Sequence, residues 1–147
     1  MSYASNDKAY FDYEILEKFE AGLKLLGTEV KAVRANRASI KGSYIKIIKG
    51  YLTLVGATIS PYQQNNSSES YDPIRSRLLL LNKKEILEIT KALDTKGLAV
   101  VPLKIYDKHG MIKLEIAIAK GKKLHDKRDA IKKRDTDRTT RRAMITK

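Results

Sequence analysis

From Met111 to Ala119 the chain reads MIKLEIAIA, with Ile112, Leu114, Ile116 and Ile118 at every second position and Lys113 and Glu115 between them. A period of two puts successive side chains on opposite faces of a strand, so this stretch belongs in a sheet with one face buried and part of the other wetted. A helix would scatter the same four aliphatics around its circumference. The preceding run LAVVPLKIY, joined to it through Asp107-Lys108-His109-Gly110, is its natural antiparallel partner. Pro102 has no N–H to give a ladder, which marks that partner as an edge strand or as the site of a bulge.

The same alternation recurs upstream. In YEILEKFEAGLKL, Tyr13, Ile15 and Phe19 share one face and Glu14, Lys18 and Glu20 the other, with Gly22 suggesting a bulge or sharp bend. SYIKIIKGYLTLVGATISPY reads as two strands around a tight Lys49-Gly50 turn, closed by Pro61. Helices are expected between the strands. In GTEVKAVRANR, Thr28 is placed as an N-cap and Glu29 in the first turn, with Val30 and Val33 inward and Lys31 and Arg34 outward. Asp72-Pro73 is expected to start a short helix through Arg75 and Arg77. Asn82 caps a further helix, with Glu85 as its capping-box partner, an apolar stripe of Ile86, Ile89 and Leu93, and Gly97 as a stop. Residues 1–12 are polar and expected to be loose, and QQNNSSES is an exposed loop. Five or six short strands with interposed helices in about 110 residues fit a mainly β fold: a small, partly open antiparallel barrel of the oligonucleotide-binding type, with flanking short helices.

Beyond Ala119 the alternation stops. Residues 120–147 hold 12 Lys and Arg against four Asp, a net +8 of the chain's +13. Their larger apolar side chains are Leu124, Ile131, Met144 and Ile145, too few to offset the ordering entropy of about 25 residues. Asp129, Asp135 and Asp137 nevertheless precede basic residues by three or four positions, a spacing that supports a helix marginally. The expected organisation is a folded unit over 1–120 and a basic tail over 121–147, disordered when free and helical against a polyanion. Such a charge favours a phosphate-bearing partner through counterion release, the bland alternative being a solubilising tail. A membrane partner is disfavoured, since the tail lacks an aromatic or leucine face and no apolar run approaches the ~18 residues of a span. With no cysteine and no signal-type leader, a cytoplasmic location is expected.

Enzymatic chemistry finds little apparatus. No HExxH, phosphate-binding Gly loop or GxSxG occurs, and no cofactor is called for. A nuclease built from scattered carboxylates is a weaker possibility. His109 reads as a turn bystander, and His125, inside KKLHDKR, as either a stacking ring or a passive position. Tyr44, Tyr51, Tyr62 and Tyr71 read as barrel packing rather than base platforms.

The ordered set FEAG, GTEVK, SYIKI, SPY, DP-x-R-x-R-x-LLLN, EI, GKKLHDKR and KKRD resembles the SsrA-binding protein (small protein B) family over nearly the whole chain. The resemblance implies an oligonucleotide-binding barrel that is not an enzyme. It implies binding to the tRNA-like domain of tmRNA and delivery, with elongation factor Tu engaged through tmRNA, to stalled ribosomes for trans-translation. It further implies that the basic tail enters the empty mRNA channel past the decoding centre. Carried over residue by residue, the family's tmRNA face maps to Glu20, Leu80 and Asn82. Lys31, Arg34, Lys122 and Lys123 are expected on phosphates. The ribosome-side tail maps to His125, Asp126, Lys127 and Arg128, continued by Lys132, Lys133 and Arg134, with Met144 and Ile145 as a terminal apolar pair. By sequence alone Leu80 reads as core and Asn82 as no more than a helix cap. The chain departs from the family at Leu78, where a Lys is usual, and at Ala35-Asn36 and Gly50-Tyr51, which read as turn variation. The alternative function is a general single-stranded-RNA or ribosome-associated barrel.

Overall fold

A computed structural model describes residues 2–61 and 71–122. The elements run β1 (Ser2–Ser5), α1 (Asp7–Asp12), β2 (Tyr13–Leu23), α2 (Gly27–Arg34), β3 (Ala38–Ser39), β4 (Tyr44–Ile48), β5 (Tyr51–Val55), β6 (Thr58–Ile59), β7 (Arg77–Leu80), α3 (Lys83–Leu93), β8 (Leu98–Lys108) and β9 (Met111–Gly121). Seven strands form one antiparallel sheet in the order β1-β8-β9-β2-β7-β5-β4, and β3 pairs with β6 beside it. The sheet curls until β4 packs against β8, with no ladder joining those two among the described residues. This is the partly open oligonucleotide-binding barrel with short flanking helices that the strand pattern predicts.

The β8–β9 hairpin is its spine, and the four aliphatics of β9 do what their spacing requires. Leu114 and Ile116 are fully buried, and Ile112 and Ile118 nearly so, in the main core with Phe19, Ile40, Leu54 and Ile89. The opposite face of β9 is also covered near its end, where Ala117 and Ala119 lie under Ala9 of α1 with Val101 and Leu103. Two bulges make this double use possible. In β2 the register slips between Ile15 and Glu17, leaving Leu16 as the extra residue. Tyr13 and Ile15 therefore face the small core under α1, whereas Phe19, Ala21 and Leu23 face the main core. In β8 the slip lies at Pro102, so the proline sits at a bulge within an interior strand. The Lys49-Gly50 turn closes β4–β5 with both residues at positive φ, 52° and 83°, the geometry that matches sheet twist. Asn36, at φ 61°, takes the left-handed conformation in place of a glycine.

Several expectations are corrected. Residues 2–12 are not loose: β1 pairs with β8, and buried Asn6 ties the start of α1 to the bulge. Its Nδ2 donates to the Pro102 carbonyl at 3.0 Å and its backbone N–H to that of Leu103 at 2.8 Å. The N-cap position of α2 is Leu26, not Thr28, because Glu29 reaches back to accept the Leu26 N–H at 2.9 Å. The Leu26 side chain has no acceptor and caps nothing. No helix begins at Asp72. Its carboxylate accepts the Ile74 N–H at 3.0 Å in a local turn, after which the chain extends into β7. Gly22 is not the bulge of β2; that is at Leu16. Tyr44 and Tyr51 are exposed rather than packed, and Tyr62 lies outside the described residues.

Candidate nucleic-acid interface

The outer face of the sheet, across β8, β9 and β2, collects the polar half of each alternating strand. Lys104 opposes Glu115, which opposes Glu20; Tyr106 opposes Lys113, which opposes Gly22. Glu20 and Glu115 are thus like charges directly across from one another, an unfavourable pairing unless cations intervene. They do. Lys18 lies 3.8 Å from Glu115, and Lys108 Nζ lies 3.3 Å from both oxygens of Glu20. The phenol of Tyr106 donates to Glu20 Oε2, reaching diagonally over β9. Lys104 Nζ stands 5.4 Å from the centre of the Tyr106 ring. The Tyr106 hydrogen bond, with help from Lys108, holds the Glu20 carboxyl below its ordinary range. Burial, and then the Glu20 charge, pushes the Tyr106 phenol up.

Two residues beyond Glu20, β2 meets the end of β7, where Gly22 pairs with Leu80. A Cβ on Gly22 would come within 3.2 Å of the Leu80 Cβ, so the missing side chain lets the strands close while Leu80 projects outward. Leu80 is 56% exposed, which overturns its reading as plain core. With Arg34, Gly110, Met111 and Lys113 it lines a shallow cavity of about 260 Å³. Arg34 is exposed on α2 yet tied down, its Nη2 donating to the Gly110 carbonyl at 2.7 Å and lying 3.7 Å from Asp107. Lys31 is exposed on the same helix. Asn82, two residues past the end of β7, caps α3, its Oδ1 accepting the Glu85 N–H at 2.8 Å. The fold therefore brings Glu20, Leu80 and Arg34 to one region, with Asn82 and Lys31 on the adjoining helices.

Behind this region a buried ionic cluster fixes α2 to β7. Arg77, with no exposed surface, donates to Glu29 Oε2 through Nη2 at 2.6 Å and Nε at 3.1 Å, and to the Ala57 carbonyl at 2.8 Å. Arg75 and the Tyr71 phenol also donate to Glu29. Burial pushes the Glu29 carboxyl up, but Arg75, the Leu26 N–H and Arg77 outweigh it and bring it to about 2.

Lys122 stands elsewhere. It is half-buried at the far end of β9, its backbone N–H on the Asp12 carbonyl at 3.0 Å and its ammonium 3.2 Å from the Tyr10 carbonyl. Lys123 and the tail positions His125, Asp126, Lys127, Arg128, Lys132, Lys133, Arg134, Met144 and Ile145 lie outside the described residues. The sequence reading missed Tyr106, Lys108 and Met111 on the outer face. For Tyr106 and Lys108 the signal was the alternation Lys104, Tyr106, Lys108 around the inward Ile105. Among the described residues no group of three or more His, Cys, Asp or Glu could hold a metal, and no helix is long and apolar enough to cross a membrane.

An open antiparallel barrel with a lysine-bearing outer sheet face defines the class of oligonucleotide-binding barrels. The family model described as SmpB protein matches residues 3–146. The chain belongs to that family. The SsrA-binding protein of Thermosynechococcus vestitus is 45% identical over 141 residues, covering 96% of this chain and 93% of the relative. That of Syntrophobacter fumaroxidans is 50% identical over 133 residues, covering 90% and 82%. A solved structure described as "tmRNA-SmpB: a journey to the center of the bacterial ribosome" superimposes with a TM-score of 0.68 at 41% identity, covering 86% of this chain and 92% of the other.

Proposed function

We propose that this protein binds the tRNA-like domain of tmRNA and delivers it to stalled ribosomes for trans-translation, acting in the cytoplasm by binding and not by catalysis. The observation that carries this reading is the exposure of Leu80 beside Gly22, next to Glu20 and just ahead of the Asn82 cap. A leucine held out of the core, flanked by an acceptor carboxylate and by Arg34, suits a folded RNA surface that offers bases and sugars as well as phosphates. The names of its relatives, SsrA-binding protein, support the same partner. Glu20 serves as an acceptor for base or ribose donors, and Lys31 and Arg34 take phosphates. Lys122, lying apart, contacts the RNA backbone separately, with Lys123.

The division into a barrel over 1–120 and a basic tail over 121–147 belongs to this proposal. So do the tail's occupation of the empty mRNA channel through His125 to Arg128 and the following basic stripe, and the engagement of elongation factor Tu through tmRNA. The test is binding of the full-length protein to the tRNA-like domain at about 0.15 M salt against excess polyU, because a chain of charge +13 holds almost any RNA when screening is weak. Specific binding survives the competitor. Glu20→Arg weakens it about tenfold or more, the scale of one charge-assisted hydrogen bond, while the fold persists. Displacement of the tRNA-like domain by polyU would instead mark a general single-strand binder.

A further inference from the structure

We infer that Tyr106 is a positioning residue for the RNA-facing carboxylate, fixing Glu20 from two strands away so that its remaining acceptor sites face outward. The inference rests on the proposed placement of Glu20 in the RNA face. Three observations support it. The first is reach: β8 and β2 are separated by β9, a span of about 10 Å. A phenol on β8 crosses that distance toward a glutamate on β2, whereas a shorter side chain at 106 would leave the carboxylate over β9. The second is need. Glu20 faces Glu115 across the ladder, and repulsion between them favours turning Glu20 outward and away unless something draws it toward β8. Lys108 and Tyr106 supply that pull, and of the two only Tyr106 sets direction, because an ammonium 3.3 Å from both oxygens acts as a point charge.

The third observation is what the contact leaves free. An ionised carboxylate has about four acceptor sites; the phenol proton occupies one on Oε2 and the Lys108 ammonium is shared between the two oxygens, which leaves about two free. The pair lies on the surface, with the Glu20 side chain 37% exposed, so its contribution to folding is small and its geometric effect can be separated from stability. The Lys104 ammonium stands over the Tyr106 ring, 5.4 Å from its centre. Carboxylate, phenol and the two lysines thus form one preset constellation on the outer face, and pre-setting an acceptor before the partner arrives reduces the ordering cost of binding.

A double-mutant cycle on the full chain tests this, measuring affinity for the tRNA-like domain of tmRNA with polyU present. Tyr106→Phe keeps the ring and its packing and removes only the hydroxyl. Thermal unfolding is expected to be nearly unchanged while affinity falls about fivefold; Glu20→Gln lowers it about tenfold, and the double variant is no weaker than Glu20→Gln alone. A merely structural tyrosine would weaken binding by the same factor in both backgrounds, giving about a fiftyfold loss in the double variant. Additive losses, or a Tyr106→Phe protein that binds as the parent does while Glu20→Gln is impaired, would overturn the positioning role alone. If neither single substitution changes affinity, the assignment of the face fails, and the inference with it.

Discussion

At the scale of single residues, the least expected side chain is Leu80. In sequence a leucine inside a run of four reads as core, and no local signal says otherwise. What exposes it is a neighbour distant in sequence, the glycine at position 22, whose missing side chain lets β7 close on β2 with Leu80 outside. Glu29 was legible only as a first-turn acid. Its partners Arg75 and Arg77 are nearly fifty residues away, and such pairing leaves no trace in local patterning. The cluster makes a firm prediction. Glu29→Gln leaves buried Arg77 without its counter-charge and should cost about 3–5 kcal/mol in urea unfolding. The pH dependence has a definite sign. The folded carboxyl sits at about 2, below the ordinary glutamate value of 4.5, so its stabilisation is fully present above pH 4.5 and is lost as pH falls from there toward 2. Urea midpoints from pH 6 to 2 should show that decline in the parent and a smaller one in Glu29→Gln.

At the scale of elements, hairpins and α3 could be read directly because their determinants are local. The period of two fixes β9, paired positive-φ residues fix the Lys49-Gly50 turn, and Asn82 with Glu85 fixes the start of α3. Misreadings arose where a distant contact decided the outcome. The first residues look like a polar leader, yet they complete the barrel because Asn6 satisfies carbonyls freed by the Pro102 bulge. Asp72-Pro73 has good helix-start chemistry, but burial of Arg77 against Glu29 requires an extended chain there. Asn82 allows its two roles to be separated. Asn82→Ala should cost about 1 kcal/mol by loss of the cap. Asn82→Asp keeps a capping oxygen and should hold stability to within about 0.5 kcal/mol, while a carboxylate set against RNA lowers affinity for the tRNA-like domain. An Asp variant that binds as well as the parent would leave Asn82 as a cap alone.

For the whole molecule, charge is divided unevenly along the chain. Residues 123–147 hold ten Lys and Arg and four Asp, so truncation after Lys122 lowers the net charge from +13 to +7. It also preserves the Gly121 pairing with Tyr13 and the Lys122 bond to Asp12, which a cut at 121 would destroy. The truncated protein should largely keep its affinity for the tRNA-like domain at about 0.15 M salt, less the Lys123 contact, and bind polyU more weakly, with a shallower salt dependence. It should support no peptide tagging; normal tagging would remove the tail from the mechanism. The β8–β9 pair has a metric consequence. Lys113, beside the Leu80 cavity, and Lys122, just past the end of β9, are nine residues apart, about 30 Å along the strand at its usual rise. Ladders on both sides clamp that strand, so the interval cannot stretch or shorten. Any partner that touches both the Leu80 cavity and Lys122 must therefore match that spacing. Only residues inserted between Lys113 and Lys122, with matching additions in the flanking strands, would lengthen it, by about 7 Å for two.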